Sequence, residues 1–256
     1  MDILQTQIQH HILICRLNRP ERLNALNVDL LQALEHAVMD AKHQSSIRAV
    51  MLIGNGKSFC AGADINRLAE CNGLSGYEFA VAGQQVMTRI EKLGKPVLAA
   101  LHGHVLGGGC ELAMSAHLRM AHNDTFLGQP EVKLGVIPGF GGTQRLSRLV
   151  GRARALDLCL SGRFIDAKTA ESWGLVNWVA KEALEDEAMA YLKKLVELPG
   201  HALQGVLDSI LVGNDLAMPE SLEIEALQFA KCCSTQDKQE GVQAFLEKRP
   251  PIFKGN

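Results

Sequence analysis

Leu106-Gly107-Gly108-Gly109-Cys110-Glu111, read together with Gly128-Gln129-Pro130-Glu131, is the stretch on which the fold turns. Three glycines ahead of a carboxylate read as a tight turn feeding the first turn of a helix. The unpaired N–H groups at such a start point outward and favour anions. Glu111 then stands a turn inside that helix. Pro130 biases Gln129 toward extended backbone and suits the first position of a new helix, so Glu131 is expected near a helix start at a loop mouth. Two acids beside exposed N–H donors suggest proton transfer to or from a substrate that develops negative charge.

Outward from these segments, β-like runs appear at 11–17, 48–53 and 96–101, with shorter ones at 118–121 and 176–179. A helical pattern lies between the first two. Asn27 is a plausible N-cap, and Leu30, Leu31, Leu34, Ala37, Val38 and Ala41 recur at helical spacing as far as His43. Strands alternating with helices predict an α/β fold. From about Lys181 the pattern is helical only, with helices expected at 183–198, 201–212, 219–233 and 235–247 and breaks at Pro199-Gly200 and Gly213-Asn214. The chain therefore divides into an α/β body and a helical tail.

Composition narrows the function. With 26 basic and 28 acidic side chains the net charge is -2, which gives no reason to expect a nucleic-acid partner. The seven cysteines, Cys15, Cys60, Cys71, Cys110, Cys159, Cys232 and Cys233, form no Cys-x-x-Cys pair and no metal-ligand spacing. They read as reduced thiols in a cytoplasm-like compartment. No stretch reaches membrane-spanning length, and the only apolar run near residue 1 is Ile12 to Cys15, so neither anchor nor secretion signal is expected. Gly56-Lys57-Ser58 imitates a phosphate loop, but Met51 stands where that motif needs glycine. No Gly-x-Gly-x-x-Gly follows a strand, so no dinucleotide site is indicated.

Each acid has a plain structural alternative, because carboxylates are favoured in any first helical turn. Recurrence tips the balance: Pro138-Gly139-Phe140-Gly141-Gly142 adds another glycine loop to the same neighbourhood, and Ser58-Phe59-Cys60-Ala61-Gly62-Ala63-Asp64-Ile65 follows a strand with residues small enough for close backbone approach to a ligand. Taken alone, that last segment reads as an ordinary strand-to-helix turn capped by Asp64. His102 and His104, just before the glycine run, are packing residues unless the substrate reaches them.

The 58–65 segment, Gly103 through Ala113, and Gly128-Gln129-Pro130-Glu131 through Leu146 resemble the enoyl-CoA hydratase (crotonase) family. The likeness runs from Leu17-Asn18-Arg19-Pro20 and Leu23-Asn24-Ala25-Leu26 to Phe245-Leu246-Glu247-Lys248-Arg249. It implies a spiral of ββα units over residues 1–195 and a C-terminal helical region, 196–256, that assembles trimers or hexamers. It also implies an acyl-CoA thioester substrate, with coenzyme A part of the substrate and no separate cofactor or metal. By the same resemblance the N–H groups of Ala63 and Gly108 form an oxyanion hole, and Glu111 and Glu131 are the base and acid of water addition, with Gly139 placing the water. Arg22, Leu23, Ala25, Ala61, Asp64, Ile65 and Lys248 are the implied substrate-binding positions. The family's other outcomes are double-bond isomerisation, which needs one acid, and an RNA-associated binding role without turnover. Two positions depart from the family pattern: Asn66 stands where a lysine is common, and Leu127 where an aromatic is, which is expected to alter the acyl pocket. Glycine and serine between Arg67 and Phe79 suggest a mobile segment.

Overall fold

The computed structural model describes residues 2–255. In chain order the elements are β1 (Leu4–Gln9), β2 (Ile12–Leu17), α1 (Val28–His43), β3 (Ala49–Gly54), α2 (Ile65–Ala69), α3 (Gly73–Glu91), β4 (Val97–Leu101), β5 (His104–Leu106), α4 (Gly108–Ser115), β6 (Leu118–Ala121) and β7 (Phe126–Gly128). They continue with α5 (Gly142–Val150), α6 (Arg152–Ser161), β8 (Phe164–Asp166), α7 (Ala167–Ser172), β9 (Trp178–Val179), α8 (Leu184–Val196), α9 (Gly200–Gly213), α10 (Met218–Cys233) and α11 (Gln236–Glu247). Short 3-10 turns cover Pro20–Arg22 and Glu131–Leu134.

The larger sheet has the order β1-β2-β3-β4-β6-β9, antiparallel between β1 and β2 and parallel elsewhere. Its central strands are apolar at every position because both faces are covered, as expected of parallel strands between helical layers. Leu13, Cys15, Val50, Leu52, Val97 and Ala99 face α1 and α3. Ile12, Ile14, Ala49, Met51, Leu98 and Ala100 face α8, through Leu184, Ala188 and Leu192. The α/β reading of the sequence holds, and the Asn27 cap holds with it: its side chain accepts from the Leu30 N–H at 3.0 Å.

The smaller sheet, β5-β7-β8, carries the chemistry-bearing segments. None of its three-residue strands stands out in the sequence, because three residues show too little alternation to register. β5 and β7 run parallel, with Leu106 opposite Gly128. That register places the chain leaving β5, Gly107 onward, beside the chain leaving β7, Gln129 to Glu131. The Gly107 N–H closes the pair on the Gly128 carbonyl at 2.9 Å.

Some local expectations change. The segment 67–79 contains the start of a long helix: Asn72 and Ser75 form a reciprocal capping box, and the helix runs on to Glu91. Local capping outweighs the helix-weakening effect of Gly73 and Gly76. Pro130 is the cap of a 3-10 turn that begins at Glu131, where a first helical position was expected. Leu127 is fully buried in the core and lies outside the cavity described below, so its difference from an aromatic is a matter of core packing.

Candidate active site

Helix α4 is buried along its whole length. Its first residues pass so close to the 58–63 segment that a Cβ on Gly109 would sit 2.0 Å from the Cys60 carbonyl oxygen, which only glycine tolerates. Backbone bonds from Leu106 N to Cys60 O (3.1 Å) and from Ala61 N to Leu23 O (2.9 Å) fix the crossing. On the far side of Ala63, Leu26 N bonds Gly62 O and Asp64 N bonds Leu26 O, both at 2.8 Å. This bracketing leaves the Ala63 N–H without an acceptor among the described residues, and the Gly108 N–H at the start of α4 is equally free. The two donors are neighbours: a methyl group added at Gly108 would lie 3.2 Å from the Ala63 nitrogen.

Both acids reach the same place. A cavity of about 820 Å³ is lined by Ala61, Ala63, Gly108, Glu111, Glu131 and Gly139, with apolar walls from Ile65, Leu68, Phe79, Leu134, Ile137 and Phe140. Glu111 is 1 % exposed, and its Oε1 accepts from the Phe140 N–H (2.7 Å) and the Gly142 N–H (2.6 Å) at the start of α5. Burial pushes its pKa up to about 8, with the neighbouring Glu131 charge adding to the rise and the two N–H bonds opposing it. Burial likewise raises Glu131 to about 7. Its carboxylate rests against the bare Cα of Gly107, where a Cβ would come within 2.8 Å of Oε1.

The loop that carries Gly139 is strapped from two sides. Gln84 of α3 donates to the Gly139 carbonyl at 2.9 Å, and Arg145 of α5 donates to the Phe140 carbonyl at 3.0 Å while pairing with Glu91 at 3.0 Å. The Gly139 N–H has no acceptor among the described residues. A second carboxyl oxygen on Glu111, a free N–H at Gly139 and the Glu131 carboxyl therefore share one apolar-walled space.

Not every position implied by the resemblance lines that space. Ala61, Ala63, Ile65, Gly108, Glu111, Glu131 and Gly139 do; Arg22, Leu23, Ala25, Asp64 and Lys248 do not. Leu23 abuts the site through its bond to Ala61, and Ala25 and Asp64 are gathered by Arg19, which pairs with Asp64 at 2.8 Å and donates to the Ala25 carbonyl. The guanidinium holds the Asp64 carboxyl below its usual range, while the same carboxylate caps α2 through the Asn66 N–H. Lys248 ends α11 in the left-handed region, φ 56°. His102 is tied to the Gly56 carbonyl and His104 packs on Phe126, both outside the cavity. The sequence did not single out the main-chain donors of Phe140 and Gly142; the glycine-rich loop was their only signal. Among the described residues no cluster of side chains could hold a metal ion, and no helix is long and apolar enough to cross a membrane.

Residues 7–256 match the enoyl-CoA hydratase/isomerase family. The chain is 42% identical over 240 residues to a short-chain-enoyl-CoA hydratase of Clostridium acetobutylicum, covering 93% of this chain and 92% of that one. It is 39% identical to a crotonyl-CoA hydratase of Syntrophomonas wolfei, over 96% of this chain and 95% of that one. Among solved structures, an enoyl-CoA hydratase from Bacillus anthracis superposes with a TM-score of 0.95 at 34% identity, covering 100% of both chains.

Proposed function

The chain belongs to the enoyl-CoA hydratase/isomerase family, whose members act on acyl-CoA thioesters, and from that premise we propose that it is a hydro-lyase adding water across the 2,3 double bond of a 2-enoyl-CoA to give a 3-hydroxyacyl-CoA. The observation that carries the reading is the presence of two carboxyl groups with raised pKa values on one cavity that also holds the free N–H groups of Ala63 and Gly108. Isomerisation needs one acid; water addition uses two.

In this reading the thioester carbonyl oxygen sits between the Ala63 and Gly108 N–H groups. Water, oriented by Glu111 and the Gly139 N–H, forms a bond to C3 as Glu111 takes its proton. The alkene electrons move onto the carbonyl oxygen, where one such N–H donor is typically worth about 2.7–4 kcal/mol of barrier. Glu131 then delivers a proton to C2 and the charge collapses. Two carboxyls close together in an apolar pocket do not both ionise at neutral pH, so one proton is shared between them; burial raises both, Glu111 the more, and hydration starts from the arrangement in which that proton has passed to Glu131 while the Phe140 and Gly142 N–H groups hold the Glu111 carboxylate. The apolar walls suit an acyl chain, and a homotrimer or hexamer is the assembly the family resemblance implies.

The test is loss of the conjugated enoyl absorbance of crotonyl-CoA on incubation with the protein. Turnover well above background is expected. A protein with Glu111 and Glu131 intact that hydrates no 2-enoyl-CoA, from short to long chains, overturns the proposal.

A further inference from the structure

The cavity extends past the two acids along α3, and that part of it has no role in the chemistry described so far. Gly73, Gly76 and Ala80 line it, at a spacing that puts all three on one side of the helix. Among the described residues, a methyl group added at Gly73 would meet nothing within 4 Å, and one added at Gly76 would meet only the Cys71 Cβ, at 3.8 Å. Both glycines therefore face open space. Leu134, Val136 and Ile137 also line the cavity, and all three are exposed apolar side chains, Ile137 at 74%. Phe140 sets the direction of this space. Its ring fills the next position along the same side of α3, since a Cβ at Gly83 would fall 2.1 Å from it, so a chain leaving the acids cannot run toward the C-terminal end of the helix. A Cβ at Gly139 would lie 3.7 Å from that of Ala80, which puts the water-orienting N–H of the loop beside Ala80. From there the way lies open toward Gly76 and Gly73.

We propose that the protein takes medium-chain 2-enoyl groups, of about eight to ten carbons, in preference to crotonyl, and that Gly76 is the residue that sets this preference by leaving the passage for the chain beyond C3 open. The inference rests on the hydratase reading, which places C3 beside Glu111 and Gly139. Ala80 and Gly73 are two turns apart, about 10 Å at 1.5 Å per residue. An extended chain advances about 1.2 Å per bond, so that span takes roughly eight carbons past C3. Each methylene moved from water onto apolar walls is worth about fourfold in affinity, so the preference grows with chain length as far as Gly73. Gly73 is exposed, and a longer chain emerges there into solvent and gains nothing more. A leucine at position 76 would stand in the passage itself, and as a good helix former it leaves α3 intact.

The experiment measures kcat/KM for crotonyl-, 2-hexenoyl-, 2-octenoyl-, 2-decenoyl- and 2-tetradecenoyl-CoA, and calorimetric affinity for butyryl- and decanoyl-CoA, with wild type, Gly76→Leu and Gly73→Leu. In wild type, kcat/KM for decenoyl-CoA is expected to exceed that for crotonyl-CoA by about tenfold or more, with no further gain at tetradecenoyl-CoA. The decenoyl-to-crotonyl ratio should fall about tenfold or more in Gly76→Leu, and less in Gly73→Leu, which stands at the open end. A wild-type ratio at or below one overturns the proposal, and so does a ratio that is unchanged in folded Gly76→Leu. Should Gly76→Leu fail to fold, the wild-type series decides alone. The saturated esters report the same ratio without turnover. A wild type that hydrates no enoyl-CoA therefore counts against the hydratase reading alone, and the affinities for butyryl- and decanoyl-CoA still decide for or against the chain-length preference.

Discussion

Glu111 and Glu131 are chemically identical side chains that the fold treats differently. Glu111 is anchored by two main-chain N–H groups at the start of α5, whereas Glu131 lies partly open on a 3-10 turn beside Gly107. Replacing Glu131 by Gln keeps the shape and removes the proton. Turnover is expected to drop by about two to four orders of magnitude while affinity for a CoA ester stays nearly intact, as checked by steady-state kinetics and calorimetric binding. Near-normal turnover would remove Glu131 as proton donor. Glu111 makes a separate prediction about stability. Its pKa is raised from 4.5 to about 8 in the folded state, so its contribution to stability is fully present below the unfolded value and is lost as pH rises through about 8. Glu111→Gln stays neutral, and its carbonyl oxygen still accepts from Phe140 and Gly142. Thermal melts should show little difference from wild type near pH 4 and a variant more stable on the order of 2 kcal/mol above pH 8. A variant no more stable at high pH than at low would refute the burial argument.

Helix α3 shows how one element serves both the core and the cavity. Val86, Met87 and Ile90 pack inward, while Gly76, Phe79 and Ala80 line the cavity. Two of its glycines predict opposite outcomes for the same substitution. A Cβ at Gly76 meets nothing closer than Cys71 Cβ at 3.8 Å, so Gly76→Ala is expected to stabilise the fold by about 0.5–1 kcal/mol. At Gly83 a Cβ would fall 2.1 Å from the Phe140 ring, which is buried and packed edge-on against Phe79 at 5.1 Å between centroids. Gly83→Ala should therefore destabilise by about 1–3 kcal/mol and also cut turnover, since Phe140 carries one of the donors to Glu111. Denaturant unfolding of the two variants decides the matter: equal effects would mean that the helix surface, and not its packing, sets the cost. The start of α3 was hidden in the sequence because glycines near Asn72 read as a flexible run. Helix α1, with a clear cap and an unbroken apolar stripe, was legible throughout.

At the scale of the whole molecule, α9, α10 and α11 leave large apolar side chains in the open, among them Phe229 at 70% exposure and Phe245 at 83%. Apolar patches of this kind mark interaction surfaces, and the family resemblance makes further copies of this chain the expected occupant. We expect the protein to run as three or six chains in solution, by light scattering after gel filtration, and a single-chain mass would overturn that assembly. The larger sheet was readable from sequence because its central strands are long apolar runs covered on both faces, and the glycine-plus-acid segments were readable because turns and helix starts are written within a few residues. From these alone the chain was determined to be an α/β protein with two candidate acids and glycine-lined donors. Their convergence was not local information. It follows from the pairing of Leu106 with Gly128, which sets two separate chain segments side by side, and from the bridge between Leu26 and Ala63, which leaves a single N–H unpaired. Tertiary structure also decided that the Asp64 carboxylate is held by Arg19, 45 positions away, and that Gln129 faces Glu131. Short strands and buried polar partners take their meaning from neighbours distant in sequence, so only the folded chain could assign them.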